Sequence, residues 1–247
     1  MFGVEFLNSE KSVLISAFDR PLVFAFRGTV NVQNTSVVDR PAVGTVVFAA
    51  PIPTVAPPRL FVRLNSSRHS SMELYVVMNG SSGAWTGFTI YASAQGGGTL
   101  PLYVLDYVIA RPSFREPTRT WGMQILEKGS ERTLFSSDEY IVRFSKFTKK
   151  WTLSVSFSSD FSIIYYTYNS GVTIDIDDYI DVTFFNRGIV LQTIFDVTYT
   201  SVRIYDGGVR VLNLQTQSFS DSSAPKSVGD INFCTPICKF PASKYPS

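Results

Sequence analysis

This sequence is poor in charge. Only 17% of its 247 residues are Asp, Glu, Lys or Arg, and 22 basic against 20 acidic side chains leave a formal +2. A nucleic-acid binder carries a basic stripe, and a protein held on an anionic bilayer carries a polybasic patch, so neither partner is expected. With two cysteines and one histidine, a disulfide-built scaffold is excluded and a zinc centre lacks ligands. No apolar run approaches the roughly 20 residues of a membrane helix. The opening "MFGVEFLNSEKS" has no basic segment, and Glu5 and Asn8 interrupt its apolar residues. No secretion signal is read there, and folding in the cytoplasm is the expectation. Helical periodicity is almost absent.

What is present is apolar and aromatic. Hydrophobic residues make up 45% and aromatics 14%, enough to bury a core. With so little charge, the surface must be built from Ser, Thr, Asn and exposed apolar groups. Such a surface suits contact with partner subunits or sugars.

Short runs rich in Val, Ile, Phe, Tyr and Thr follow one another, bounded by Gly, Pro, Asn or Ser. They read "SVLISAFD", "LVFAFRGTVNVQ", "RLFVRL", "MELYVVMN", "WTGFTIYAS", "LYVLDYVIA" and "YIVRFSKF", then "WTLSVSF", "SIIYYTY", "VTIDI", "YIDVTFF" and "IVLQTIFDVTYTSVRIY". In "TLSVSF" Leu153, Val155 and Phe157 face one way and Thr152, Ser154 and Ser156 the other, the mark of a half-buried strand. The class is all-β, and regular turn signals point to sandwiches or barrels. Residues 49–60, with Pro51, Pro53, Pro57 and Pro58, are expected as an extended surface loop. Residues 94–101 read as a flexible loop, 110–120 as a domain boundary, and 223–247 as an irregular tail.

One phrase occurs three times. Gly3-Val4-Glu5-Phe6-Leu7-Asn8 matches Gly122-Met123-Gln124-Ile125-Leu126-Glu127 and Gly208-Val209-Arg210-Val211-Leu212-Asn213. Phe2 and Trp121 precede the first two copies. Leu14-Ile15-Ser16 and Leu134-Phe135-Ser136 extend the match. Each copy predicts strand, turn, strand: a hairpin that opens a domain. The spacings of 119 and 86 residues are too long for a solenoid and suit small domains. The expected organisation is tandem β-sandwiches over 1–117 and 118–206, with a short third β element over 207–247.

The stretch "FGVEFLNSEKSVLIS" resembles the opening of a family of bacteriophage tail-tip and tail-fibre proteins. Trp85-Thr86-Gly87-Phe88 and "LYVLDYVIA" are similar to later strands of that family, and the resemblance covers roughly residues 1–112. It implies a small β-sandwich with a structural or adhesive role at the tail end and no catalytic motif. The implied partners are other virion tail proteins, further copies of the chain (a trimer among the options) and a host-surface glycan or appendage. The implied location is the virion. A lectin-like carbohydrate-binding protein is the alternative, and a glycosidase-type depolymerase a weaker one.

Candidate chemistry is sparse. His69 lies in a polar loop, without a Gly-x-Ser-x-Gly elbow anywhere in the chain. Asp175, Asp177, Asp178 and Asp181 crowd "TIDIDDYIDV". Hard oxygens suit Ca²⁺, and Asp175, Asp177 and Asp178 are the weak candidates for it, but the EF-hand spacing is missing, and solvated turn carboxylates are the plainer reading. Cys234 and Cys238 are expected as free thiols. Trp85, Tyr166 and Tyr168 are the candidate binding-surface aromatics, since a ring with one wet end suits sugars and interfaces alike. Packing inside the core is the plainer reading of all three. No catalytic residue and no cofactor is expected.

Overall fold

Alternation in the sequence becomes strand after strand. The computed structural model describes residues 6–7, 13–15, 21–34, 42–65, 71–93, 100–113, 123–126, 133–157, 163–183, 185, 199–206, 210–219 and 230–246. These hold β1 (Phe6–Leu7), β2 (Val13–Ile15), β3 (Leu22–Asn34), β4 (Ala42–Ile52), β5 (Arg59–Leu64), β6 (Ser71–Ser81), β7 (Ala84–Ser93), β8 (Leu100–Pro112) and β9 (Gln124–Leu126). There follow β10 (Thr133–Ser136), β11 (Phe144–Phe147), β12 (Lys150–Phe157), β13 (Ile163–Thr173), β14 (Asp178–Asp181), β15 (Tyr199–Asp206), β16 (Arg210–Phe219), β17 (Ile231–Asn232) and β18 (Pro236–Lys239). No helix occurs among the described residues. The protein is all-β.

Fourteen strands join one large curled antiparallel sheet, in the order β11-β18-β14-β5-β8-β3-β4-β7-β6-β15-β16-β13-β12-β17. The fold line lies between β3 and β4, whose only ladder pair is Gln33 with Val43. Six strands lie on one side of that line and eight on the other. The main core fills the space between the two halves. Leu60, Val62, Leu105, Ile109, Ile180 and Ile237 come from the first half, and Leu74, Phe88, Ile90, Ala92, Trp151 and Tyr168 from the second.

In the first half, β5, β8, β14 and β18 are buried on both faces. Phe61, Val108, Ala110, Tyr179 and Cys238 point away from the main core into a second cluster, closed by Phe24, Val142, Phe240 and Tyr245. A strand covered on both sides reads as a continuous apolar run rather than an alternating one. β8, apolar from 102 to 110 at every position but Asp106, has that character.

The ladders run across the stretches marked off by composition. β5 pairs with β14, β6 with β15, and β14 with β18. The main core draws on residues from Val30 to Ile237. Residues 1–117, 118–206 and 207–247 thus contribute strands to the same sheet.

The repeated phrase takes one form twice. In the first hairpin Phe6 pairs with Ile15 and Leu7 with Val13. In the second Ile125 pairs with Phe135 and Leu126 with Thr133. Leu14 and Leu134 are each skipped, a bulge at the same place in both hairpins. The third occurrence differs. Arg210–Phe219 is one unbroken strand between β13 and β15. Its "VLNLQTQSF" holds no Gly or Pro to turn the chain.

Two other expectations need correction. The proline-rich stretch is loop only over 53–58, because β4 continues through Pro51 to Ile52. The β4–β7 ladder is irregular between Val47 and Ile52, so Pro51 need not donate to it. The tail read as irregular contributes β17 and β18, and β18 lies inside the sheet between β11 and β14. Pro236 is the first residue of that strand, a position proline tolerates. Residues 114–120, 189–198 and Trp121 lie outside the described residues.

The β6–β7 hairpin turns at Ser82-Gly83, where Gly83 holds φ 83°, a conformation open to glycine at little cost. Gly87 is needed for a different reason. A Cβ there would sit 2.1 Å from the Val46 carbonyl oxygen of the neighbouring strand. Gly87→Ala is expected to cost about 1–3 kcal/mol of stability, as overpacking does, read as a lowered midpoint in a urea titration.

Candidate binding surfaces

The acidic turn is the densest charge cluster described. Between β13 and β14 the chain reverses so that the Asp175 N–H donates to Asp178 Oδ2 at 2.8 Å and the Asp178 N–H to the Asp175 carbonyl at 3.1 Å. This brings oxygens of Asp175, Asp177 and Asp178 within 4.8 Å of one another. Two lysines from adjacent strands answer them. Lys146 of β11 reaches Asp178 Oδ2 at 2.6 Å and Asp175 Oδ2 at 3.0 Å, and also donates to the Thr173 carbonyl. Lys239 of β18 reaches Asp177 Oδ1 at 2.9 Å, Asp175 Oδ2 at 3.1 Å and Asp178 Oδ1 at 3.9 Å. The Lys239 ammonium therefore touches all three carboxylates, in the position a bound cation would take.

These contacts shift the titrations. Hydrogen bonds from Lys146 and Lys239 hold the Asp175 carboxyl below its usual value, and Lys239 does the same for Asp177. Asp177 and Asp175 in turn push the Lys239 ammonium upward. Depressed carboxylates contribute stability above their unfolded values and lose it as pH falls through the folded ones. The raised lysine contributes below its unfolded value and loses its share only in strong alkali. The cluster is thus a latch joining β11, β18 and the turn, and its Asp175 and Asp177 contacts weaken as acid protonates those carboxylates. The amide signals of Ile237–Lys239 are expected to titrate with a midpoint below the ordinary aspartate range. At about 1 M salt the effect should shrink, because the screening length falls to about 3 Å.

The buried carboxylates elsewhere are each tied to a basic side chain. Asp181 accepts from Arg59 Nε at 2.6 Å, Asp106 from Arg63 Nε at 2.8 Å, and Glu139 from Arg111 at 3.1 Å. Asp181 pairs with Arg59 and not with the two lysines, so the four aspartates of the sequence motif divide into two roles. His69 lies outside the described residues. Cys234 and Cys238 are free thiols, and burial pushes the Cys238 thiol up.

Of the three aromatics marked in the sequence, two pack on the main core. Tyr168 is 7% exposed, within the main core. Tyr166 occupies a position of the same phase on β13, opposite Val155 and Thr216; its side chain lies outside the described residues. Trp85 is half-buried against the core, and its indole N–H donates to the Thr54 carbonyl at 2.9 Å.

A different pair of rings faces outward. Tyr75 and Tyr91 sit opposite one another on β6 and β7, stacked at 4.7 Å with planes 8° apart. Burial and the Tyr91 neighbour raise the Tyr75 phenol. In the sequence both tyrosines fall out of phase with their apolar neighbours, Leu74 and Val76 on one strand, Ile90 and Ala92 on the other. That phase was the signal for them. Beside them Thr45, Thr89 and Asn79 form a hydrogen-bonded row, Asn79 Nδ2 donating to Thr89 Oγ1 at 3.1 Å and the two threonine hydroxyls 3.3 Å apart. Farther along the same half, Thr152, Ser154 and Asn169 are exposed. By register Ser154 aligns with Thr167, Gln215 and Ser201, and Thr152 with Asn169, Asn213 and Arg203. The outer face of this half is broad and carries hydroxyl and carboxamide positions with few charges. Such groups hydrogen-bond in either sense and suit uncharged polar surfaces.

Comparison with known protein families, with curated proteins and with solved structures finds no match at all.

Proposed function

We propose that this chain is a non-catalytic structural protein of a bacteriophage tail tip, baseplate or fibre, assembling with other virion proteins and with copies of itself. The observation that carries the reading is the bulged hairpin formed alike at 6–15 and 124–136. The resemblance to tail proteins rests on that hairpin, and its recurrence supports a duplicated opening module. In this reading each hairpin opens a sandwich-like module, and the modules share strands across the large sheet. The low charge and the polar outer face support contact with other surfaces.

Light scattering of the purified protein at several concentrations tests it. A discrete oligomer, a trimer above all, agrees with a fibre or tail-tip subunit. A monomer of 27.5 kDa at every concentration counts against self-assembly. A second reading, a lectin-like protein binding neutral glycans, is favoured by the stacked Tyr75–Tyr91 pair beside a hydroxyl and carboxamide face. A glycan array with Tyr91→Ala as control separates it: loss of a defined signal in the variant supports the lectin.

A further inference from the structure

A cleft of about 400 Å³ opens between residues 139–143 and the C-terminal turn at 243–245. Its volume is in the range of small-ligand sites. Both walls are pinned by contacts distant in sequence. On one wall the Tyr140 carbonyl accepts from the Phe24 N–H at 2.8 Å and the Val142 N–H donates to the Leu22 carbonyl at 2.9 Å. On the other, the Lys244 and Tyr245 N–H groups both donate to the Pro241 carbonyl, and Arg27 donates to the carbonyls of Phe240 and Tyr245. The Tyr245 hydroxyl spans the floor, donating to the Ile141 carbonyl at 2.9 Å. A site held this way loses little freedom when it is filled.

The lining is chemically one-sided. Glu139 is its one carboxylate, and it is committed to Arg111 and to the Ser113 hydroxyl. Arg143 and Lys244 are exposed and, among the described residues, form no ion pair. The Tyr140 ring is 44% exposed and lies 6.5 Å from the buried Tyr245 ring. Ser243 completes the lining. Two cationic residues and an open aromatic ring in one lining call for a ligand with an anionic group on a compact body having one apolar face. From this we infer that the cleft binds a carboxylated sugar, with Arg143 and Lys244 on the carboxylate and Tyr140 against the ring. This site is separate from the outer face and does not depend on the virion reading.

Titration of the whole protein with glucuronate, followed by amide chemical shifts, is the test. Glucose serves as the uncharged counterpart and inorganic phosphate as the bare anion. Shifts centred on 139–143 and 243–245 are expected with glucuronate and not with glucose. Arg143→Gln, Lys244→Gln and Tyr140→Ala should each weaken binding roughly tenfold, and shifts elsewhere in the spectrum should report an intact fold. The inference is overturned by an absence of shifts at about 20 mM glucuronate, well past the millimolar affinity expected of one small ligand. It is overturned equally if glucose or phosphate binds as well as glucuronate, or if none of the three substitutions changes the affinity. Oligomeric state does not enter the readout, so its outcome and that of the light-scattering test stand apart.

Discussion

Phe240→Ala is expected to lower the unfolding free energy by about 3–5 kcal/mol, the range for deleting a buried aromatic ring. Phe240 is 4% exposed, and its ring meets four others: Phe61 at 5.3 Å, Tyr179 at 5.4 Å, Tyr245 at 5.1 Å and Phe24 at 6.4 Å. Three of these contacts are edge-on, the arrangement in which the positive rim of one ring meets the negative face of another. The tail that supplies Phe240 and Tyr245 covers the second face of the β5–β14–β18 region, so a cavity there cannot close by local collapse alone. Urea unfolding followed by tryptophan fluorescence measures the loss. A change below about 1 kcal/mol would mean that the tail is not part of the cooperative core.

The second large effect is expected from Arg59. Its guanidinium is bound to the Asp181 carboxylate, whose side chain is fully buried. The other carboxylate oxygen accepts the Thr183 N–H at 3.0 Å. Arg59→Met removes the countercharge and leaves the carboxylate in a dry site, at a cost of about 3–5 kcal/mol. Burial alone pushes the Asp181 carboxyl upward, and Arg59 opposes that push. With the arginine gone, only the Thr183 hydrogen bonds still oppose that push. A raised carboxyl is stable folded when protonated, so the deficit of the variant should shrink as pH falls into the aspartate range and grow as pH rises through it. The double variant Arg59→Met with Asp181→Leu should recover most of the loss, because a pair replaced as a whole leaves no orphaned charge. A deficit independent of pH, or one that the double variant fails to relieve, would mean that the arginine acts only by packing.

Legibility differed from strand to strand. β5 coincides with "RLFVRL", residue for residue. Alternation in that segment puts Leu60, Val62 and Leu64 on one face, and they line the main core. Arg59, Phe61 and Arg63 share the other face, which by charge looks like a solvent face. It is not one: Phe61 is fully buried, Arg63 lies over the Tyr179 ring at 4.8 Å, and Arg59 is bound to Asp181. Long cationic side chains can lay their stems over apolar surface, so a face with two arginines can still be covered. The binding surfaces followed the same pattern. Tyr168 stands in an aromatic run, and its own ring packs in the core. Tyr75 and Tyr91 were legible only as phase, and they became a stacked pair once β6 and β7 were in register.

By itself the sequence determined that the chain would be built of strands, where many of them lie, and that residues 6–15 and 124–136 would form hairpins alike. These are local properties: side-chain alternation, β-branched and aromatic content, and turn residues act over a few neighbours. Which strands adjoin was decided by tertiary structure. Arg59 finds Asp181 122 positions away, β18 enters between β11 and β14, and two lysines from those strands close on one acidic turn. The physical reason is that an edge of hydrogen-bonding groups is satisfied equally well by any strand. The choice falls to whichever partner buries both faces and pairs the charges at once, and no local stretch of sequence carries that information.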